Sequence, residues 1–206
     1  MIPSRLSRDG ALLLALLAWS PATLAAVVPY MGLEDLEREA EVVVLGSVEA
    51  ADSGWSDDGR IIVTRVTVTV EEVLKGGPRK NLVIEVPGGT MGGQTLVASG
   101  APMFRKGDRA VLFLQHGAPA MERGAAQALP LAVVGWNQGR FEMRRDPNTR
   151  RDIVRQPSGG TLYVDAQGRP AARDVQVSGP RELSDFLKEI EGLVARGRAA
   201  HGAGRP

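Results

Sequence analysis

The sequence predicts a mainly β protein, an antiparallel barrel with a short helix before it and an amphipathic helix after it. Three observations carry this reading. Ile62, Thr64, Val66, Val68 and Val70 alternate with Val63, Arg65, Thr67, Thr69 and Glu71, a period of two rich in β-branched residues. Leu82, Ile84 and Val86 repeat the alternation after a polar connection from Lys75 to Asn81 that contains Gly76, Gly77 and Pro78. Near the other end, Leu183, Phe186, Leu187, Ile190, Leu193 and Val194 recur at helical spacing. The two β runs form an antiparallel hairpin, and an isolated hairpin is marginal in water, so the rest of the chain must cover its apolar face.

The elements follow in order. Leu33, Leu36 and Ala40 sit at helical spacing with Glu34 and Asp35 in the first turn, where the helix dipole favours acidic groups. Glu41 to Ala51 reads as a strand, with a bulge or bend expected at Gly46. A loop from Asp52 to Gly59 leads into the central hairpin. The run Pro87-Gly88-Gly89-Thr90-Met91-Gly92-Gly93 follows it, and its paired glycines suit positive φ and close backbone approach at a barrel corner. Arg109 to Gln115 is apolar on both faces, the mark of a central strand.

Gly117 to Pro130 is small and rich in alanine and glycine, a loose loop at the rim. Leu131–Trp136 and Arg140–Arg144 are expected to pair as a hairpin around Asn137-Gln138-Gly139, and short strands at Ile153-Val154 and Leu162–Val164 follow. Pro180 fits the first position of the last helix, capped by Ser178 or Gly179.

Composition bounds the function. The 206 residues are 43% hydrophobic and 24% charged, enough for one globular domain, and aromatics make up only 4%. Cysteine is absent, which removes disulfides, thiolate metal sites and a cysteine nucleophile. Residues 1–25 read as a secretory signal peptide: Arg5 and Arg8 precede an apolar run from Ala11 to Trp19, and small residues end at Ala25-Ala26. That run falls short of the ~20 residues needed to span a bilayer. The expected organisation is a signal peptide over 1–25, a single barrel domain over 27–196 and a disordered tail over 197–206, in a protein exported to the periplasm or beyond the cell. The net charge of the whole chain is +1, and Arg5, Arg8 and Asp9 account for it, so the mature chain is neutral and lacks the basic balance of a nucleic-acid binder.

No segment carries a recognisable catalytic pattern. The glycine run lacks the Gly-Lys-Ser/Thr ending of a phosphate loop and the G-x-G-x-x-G order of a dinucleotide site. Asp52, Asp57 and Asp58 do not follow the spacing of a calcium loop and read as turn formers. His116 stands at a strand end and His201 in the tail, with no G-x-S-x-G or H-E-x-x-H. The expectation is therefore no enzyme, no cofactor and no metal.

One cluster invites a binding role: Arg140, Arg144, Arg145, Arg150, Arg151 and Arg155, six arginines in sixteen positions, able to meet a phosphate or an anionic polysaccharide. Glu142, Asp146 and Asp152 interrupt it, and charge on hairpins is also an ordinary device against edge-to-edge pairing. Trp136 is the accompanying aromatic, placed at the turn as a rim residue or a ligand platform.

The runs Ala40–Val48, Val70–Gly76, Val86–Thr90 and Lys106–Leu114, within residues 33 to 145, resemble uncharacterised exported bacterial proteins related to the netrin-like module. This is the OB-fold barrel shared with the N-terminal domain of the tissue inhibitors of metalloproteinases. The resemblance implies an OB-fold-like, netrin-like antiparallel barrel. Those inhibitors use an N-terminal cysteine on the target's zinc, and this chain has no cysteine, so their mechanism does not transfer. The function expected is an exported binding module, its ligand another exported protein, such as a protease, or an anionic envelope polysaccharide. The alternatives are a structural envelope component acting through assembly and a carboxylate-dependent hydrolase.

Overall fold

The structure, a computed structural model, describes residues 26–117, 130–157, 161–164, 169 and 179–202. The expected signal peptide and most of the Gly117–Pro130 loop lie outside these residues. Strand β1 (Ala26–Pro29) and helix α1 (Leu33–Glu39) come first. The long strands β2 (Val42–Trp55) and β3 (Ile62–Lys75) follow, then β4 (Asn81–Pro87), β5 (Gly89–Met91), β6 (Gln94–Leu96) and β7 (Arg109–His116). The chain continues through β8 (Leu131–Val133), β9 (Arg140–Arg145), β10 (Asp152–Arg155), β11 (Thr161–Val164), β12 (Arg181–Glu182) and helix α2 (Leu183–Gly202).

Five strands close a barrel. β2, β3 and β4 form an antiparallel meander, β4 runs parallel to β8, and β8 and β2 flank β7 in antiparallel register. The apolar face of the central hairpin is thus covered by the same sheet curling on itself. Register shifts between β2 and β3, with Leu74 and Glu71 extra on β3 and Glu49 extra on β2, supply the bending that closure needs. Gly46 stands at one of these shifts, opposite the bulge in β3, and allows close approach: a Cβ there would lie 2.7 Å from both the Thr69 carbonyl oxygen and Val68 Cγ1.

Two cores result. The barrel interior is filled by Val42, Val44, Val48, Val66, Val68, Leu82, Ile84, Val86, Leu112, Leu114 and Val133. The opposite faces of β2 and β7 carry a second core, where Val43, Leu45, Val111 and Phe113 meet Phe141, Val154, Leu36 and the α2 stripe Phe186, Ile190 and Val194. Three of the four phenylalanines meet there, with Phe141 packed between Phe113 and Phe186 at centroid distances of 5.7 and 4.7 Å. Lys75 fastens α1 to the end of β3 by donating to the Glu37 backbone carbonyl at 2.6 Å and pairing with its carboxylate at 2.8 Å.

Several sequence expectations are corrected. Strand β2 runs through Asp52 to Trp55, where a loop was expected, because β3 offers it an unbroken row of partners out to Ile62. Leu131–Val133 and Arg140–Arg145 do not pair with each other; both lie along β7, in succession. Pro180 does not begin the last helix, since Arg181 and Glu182 first pair with β10 and the helix starts at Leu183. That helix continues to Gly202, past the Arg196 where sequence reading ends the ordered domain. The paired glycines serve close approach as expected: Gly89, at φ 139°, has no room for a Cβ, which would lie 2.3 Å from Ser53 Oγ.

Phe186 is fully buried and packs on the Phe141 ring, which in turn meets Phe113. Phe186→Ala is expected to cost about 3–5 kcal/mol, read as a lowered midpoint in urea with α2 detaching before the barrel in hydrogen exchange.

Candidate functional site

The site arises where β7 changes partners. Its upper edge, Leu114 to His116, pairs with β8 and closes the barrel; its lower edge, Ala110 to Leu112, pairs with β9, which leads away to β10. Between the two, Val134 to Gly139 loops out opposite the single residue Phe113. Val134 N–H donates to the Phe113 carbonyl, and Phe113 N–H donates to the Gly139 carbonyl, at 2.9 and 2.8 Å.

The loop is held from inside. Gln138, 1% exposed, accepts from Met31 N–H at 2.8 Å and donates to the Pro29 and Gly135 carbonyls, and Gln156 donates to the Gln138 carbonyl at 2.6 Å. It carries backbone strain, because Trp136 has φ 70°, a region that bulky residues rarely occupy. The Trp136 indole N–H donates to the Ser99 carbonyl at 3.0 Å, tying the loop to the segment before β7.

Below this fork lies a cleft of about 720 Å³ between β9–β10 and residues 101–109. That volume lies within the usual ~300–1,000 Å³ range of small-ligand sites. Arg140 is 5% exposed, with its guanidinium 4.8 Å from the centre of the Phe104 ring, 3.0 Å from Glu142 and 3.5 Å from Asp108. Register explains the burial: Arg140 pairs with Leu112, and alternation puts it on the side opposite Phe141, which enters the second core. Burial pulls the Arg140 pKa below the ordinary arginine value, and Glu142 and Asp108 oppose that pull. Two buried polar atoms have no hydrogen-bond partner among the described residues, Arg140 Nε and Asn137 Oδ1, and both residues line the cleft. Asn137 is 4% exposed.

The walls mix charge and apolar surface. Arg144 and Arg145 lie at the exposed rim, paired with Glu142 at 3.2 Å and Asp152 at 3.4 Å. Arg105 is exposed at the opposite lip, beside Ala101 and the exposed Met103. Arg109 is turned to Glu71, and their hydrogen bond raises its pKa above the ordinary value.

Of the sequence candidates, Arg140, Arg144 and Arg145 line one cleft, whereas Arg150, Arg151, Arg155 and Trp136 do not. Arg150 sits at φ 58° in the turn joining β9 to β10, where Asp146 accepts the Asn148 and Thr149 N–H groups; those bonds hold the Asp146 carboxyl below its usual range. Arg151 is bonded to Glu182, which raises its pKa, and Arg155 is exposed on β10. Sequence reading missed Asn137, Arg105 and Asp108, which are polar residues in turns with no motif around them. His116 lies outside the cleft, with its ring nitrogen Nδ1 2.8 Å from Glu41. Among the described residues no group of histidine, aspartate and glutamate is arranged to hold a metal. The sequence matches no protein-family model and no curated protein.

Arg140→Ala leaves Glu142 and Asp108 without their shared cation. These carboxylates are partly exposed, so the expected loss is on the order of 1–3 kcal/mol, below the ~3–5 of a fully buried pair, read from the thermal midpoint. The second prediction concerns pH. The His116 backbone N–H, and then its ring, hold the Glu41 carboxyl below its ordinary value of 4.5. A depressed carboxyl contributes stability above the unfolded value and loses it as pH falls through the folded one. The difference in melting temperature between the wild type and Glu41→Gln is therefore expected to be small but complete above pH 4.5, and to close below it.

Proposed function

We propose that this protein is an exported, non-enzymatic binding module that receives its ligand in the cleft beside β9. The observation that carries the reading is the buried Arg140–Asn137 pair of partly unsatisfied polar groups, set next to a strained loop. Unpaired buried polar atoms and strained backbone both cost stability, and both concentrate where a ligand is met. The ring order supports the OB-fold reading. Numbered within the barrel, the first three strands form a meander, and the third lies parallel to the fifth, which lies beside the fourth. The cleft uses the segment before the fourth strand and two strands outside the ring. Among the described residues no helix is long and apolar enough to cross a membrane, which accords with a protein released after signal cleavage.

The cleft favours a saccharide over a protein partner. A protein interface of standard strength is centred on large buried anchors, whereas Trp136 is outside the cleft, with its N–H engaged by Ser99, and the lining mixes charged side chains with Ala101, Met103, Met143 and Pro157 and includes no aromatic residue.

A photo-reactive benzoylphenylalanine in place of Met103, at the lip, tests the reading in cells producing the full chain. Adducts are expected from position 103 and not from Val83, which is exposed on β4. Equal labelling from both positions, or none from 103 in a folded protein, overturns it.

A further inference from the structure

Charge, proline and bulges are the usual means by which an exposed strand edge avoids pairing with another chain. The eight-stranded sheet uses the first of these at β12, which consists of Arg181 and Glu182, paired with Glu189 and Arg151. The β5–β6 hairpin has no such guard. In a chain that is 24% charged, no charged residue stands between Glu85 and Arg105, and the run from Gly88 to Ala101 holds no proline. We infer that β6 is the contact by which two copies of this chain associate, edge to edge about a two-fold axis at Thr95.

The hairpin turns the backbone of β6 outward. The chain entering β5 is fastened to the barrel: Gly88 N–H donates to the Ile62 carbonyl at 2.9 Å, Thr64 Oγ1 donates to the Gly88 carbonyl at 2.8 Å, and Gly89 lies against Ser53 and Thr64. β6 pairs with β5 and with no other strand among the described residues. Gln94, Thr95, Leu96 and Val97 are all exposed, Val97 to 80%. The two-residue turn Gly92-Gly93, at φ 58° and 78°, makes Met91 and Gln94 a hydrogen-bonded pair and leaves Thr90 and Thr95 a non-hydrogen-bonded one. Side chains of such a pair approach closely, and the Thr90 and Thr95 hydroxyls meet at 2.9 Å. The Thr95 N–H and C=O therefore point away from β5, to the open side.

A second copy satisfies these groups with its own. Antiparallel strands about a two-fold axis set Thr95 opposite Thr95, each N–H meeting the other's carbonyl, with Gln94 of each copy opposite Leu96 of the other. Such a contact faces a surface with its own image, and like charges directly opposite destabilise a strand pair. An edge without charge meets no such penalty, and it carries nothing to select a charged peptide instead. Pairing also removes apolar surface of Leu96 and Val97 from water. None of Gln94 to Val97 lines the cleft, so this contact is distinct from the ligand site.

Sedimentation velocity on protein purified from cells producing the full chain tests this. Reversible monomer–dimer exchange is expected. Val97→Lys, at a position already exposed, is expected to weaken it at least ~10-fold, corresponding to about 1.4 kcal/mol, with the thermal midpoint of the monomer unchanged. Thr95→Pro removes the outward N–H without taking a bond from β5 and is expected to act likewise. Because the chain has no cysteine, Thr95→Cys supplies a single thiol for a short bis-maleimide. Cross-linked dimer is expected from position 95 and not from Val83→Cys, exposed on β4. A chain that stays monomeric up to about 1 mM overturns the inference, whatever else β6 then binds. So does a dimer that Val97→Lys leaves unchanged, or one cross-linked from position 83 as readily as from 95.

Discussion

The structure depends on how β7 divides its outer edge. A barrel closes only if its last strand returns to its neighbour, and a sheet extends only if an edge remains open. Here one strand does both, with Phe113 as the point of division: above it β8 completes the ring, and below it β9 begins an extension. The two hydrogen bonds of Phe113 to Val134 and Gly139 fix where the change occurs. The Phe113 side chain faces the second core beneath α2, so the same residue anchors the fork from its opposite face.

The cleft follows from this division. Once β9 leaves the ring, the side chains on its barrel-facing side no longer enter a closed interior. Arg140 and Glu142 occupy those positions, beside the apolar Leu112 and Ala110 of β7. Phe104 covers the Arg140 guanidinium, and Asp108 and Glu142 offset its charge, which makes a buried cation tolerable at the mouth of an apolar barrel. The loop above it is strained at Trp136 but is locked by Gln138, whose amide and backbone carbonyl bind four groups from three stretches of chain. Strain persists where the surroundings over-determine it.

Much of the fold was legible because period-two alternation is a local property. The β3 and β4 runs, the register shift at Gly46 and the α2 stripe are written in residues that are neighbours in sequence. Ring closure is not local, since β4 and β8 share only the pair Ile84–Leu131, and no composition signals that contact. The expected hairpin of Leu131–Trp136 with Arg140–Arg144 failed for a related reason. Asn137-Gln138-Gly139 has the chemistry of a hairpin turn, yet Gln138 points inward to the Pro29 and Met31 backbone, more than a hundred residues away, and the chain continues along β7. The beginning of α2 was misplaced because β10 offers Arg181 and Glu182 strand partners that Pro180 alone does not reveal.

The arginine cluster shows what the one-dimensional pattern holds and what it hides. Six arginines close in sequence read as one basic patch, but strand alternation and a tight turn send them to different places. Arg140 goes inward, Arg144 and Arg145 to a rim, Arg150 to the turn, Arg151 to Glu182 and Arg155 to open surface. Each that reaches the cleft meets a carboxylate. An unpaired basic groove attracts any polyanion in proportion to its charge, whereas paired cations bind only a ligand whose donors and acceptors replace the contacts it disturbs. The arginines of the cluster that line the cleft thus stand in neutralised pairs, while two buried atoms, Arg140 Nε and Asn137 Oδ1, have no hydrogen-bond partner among the described residues.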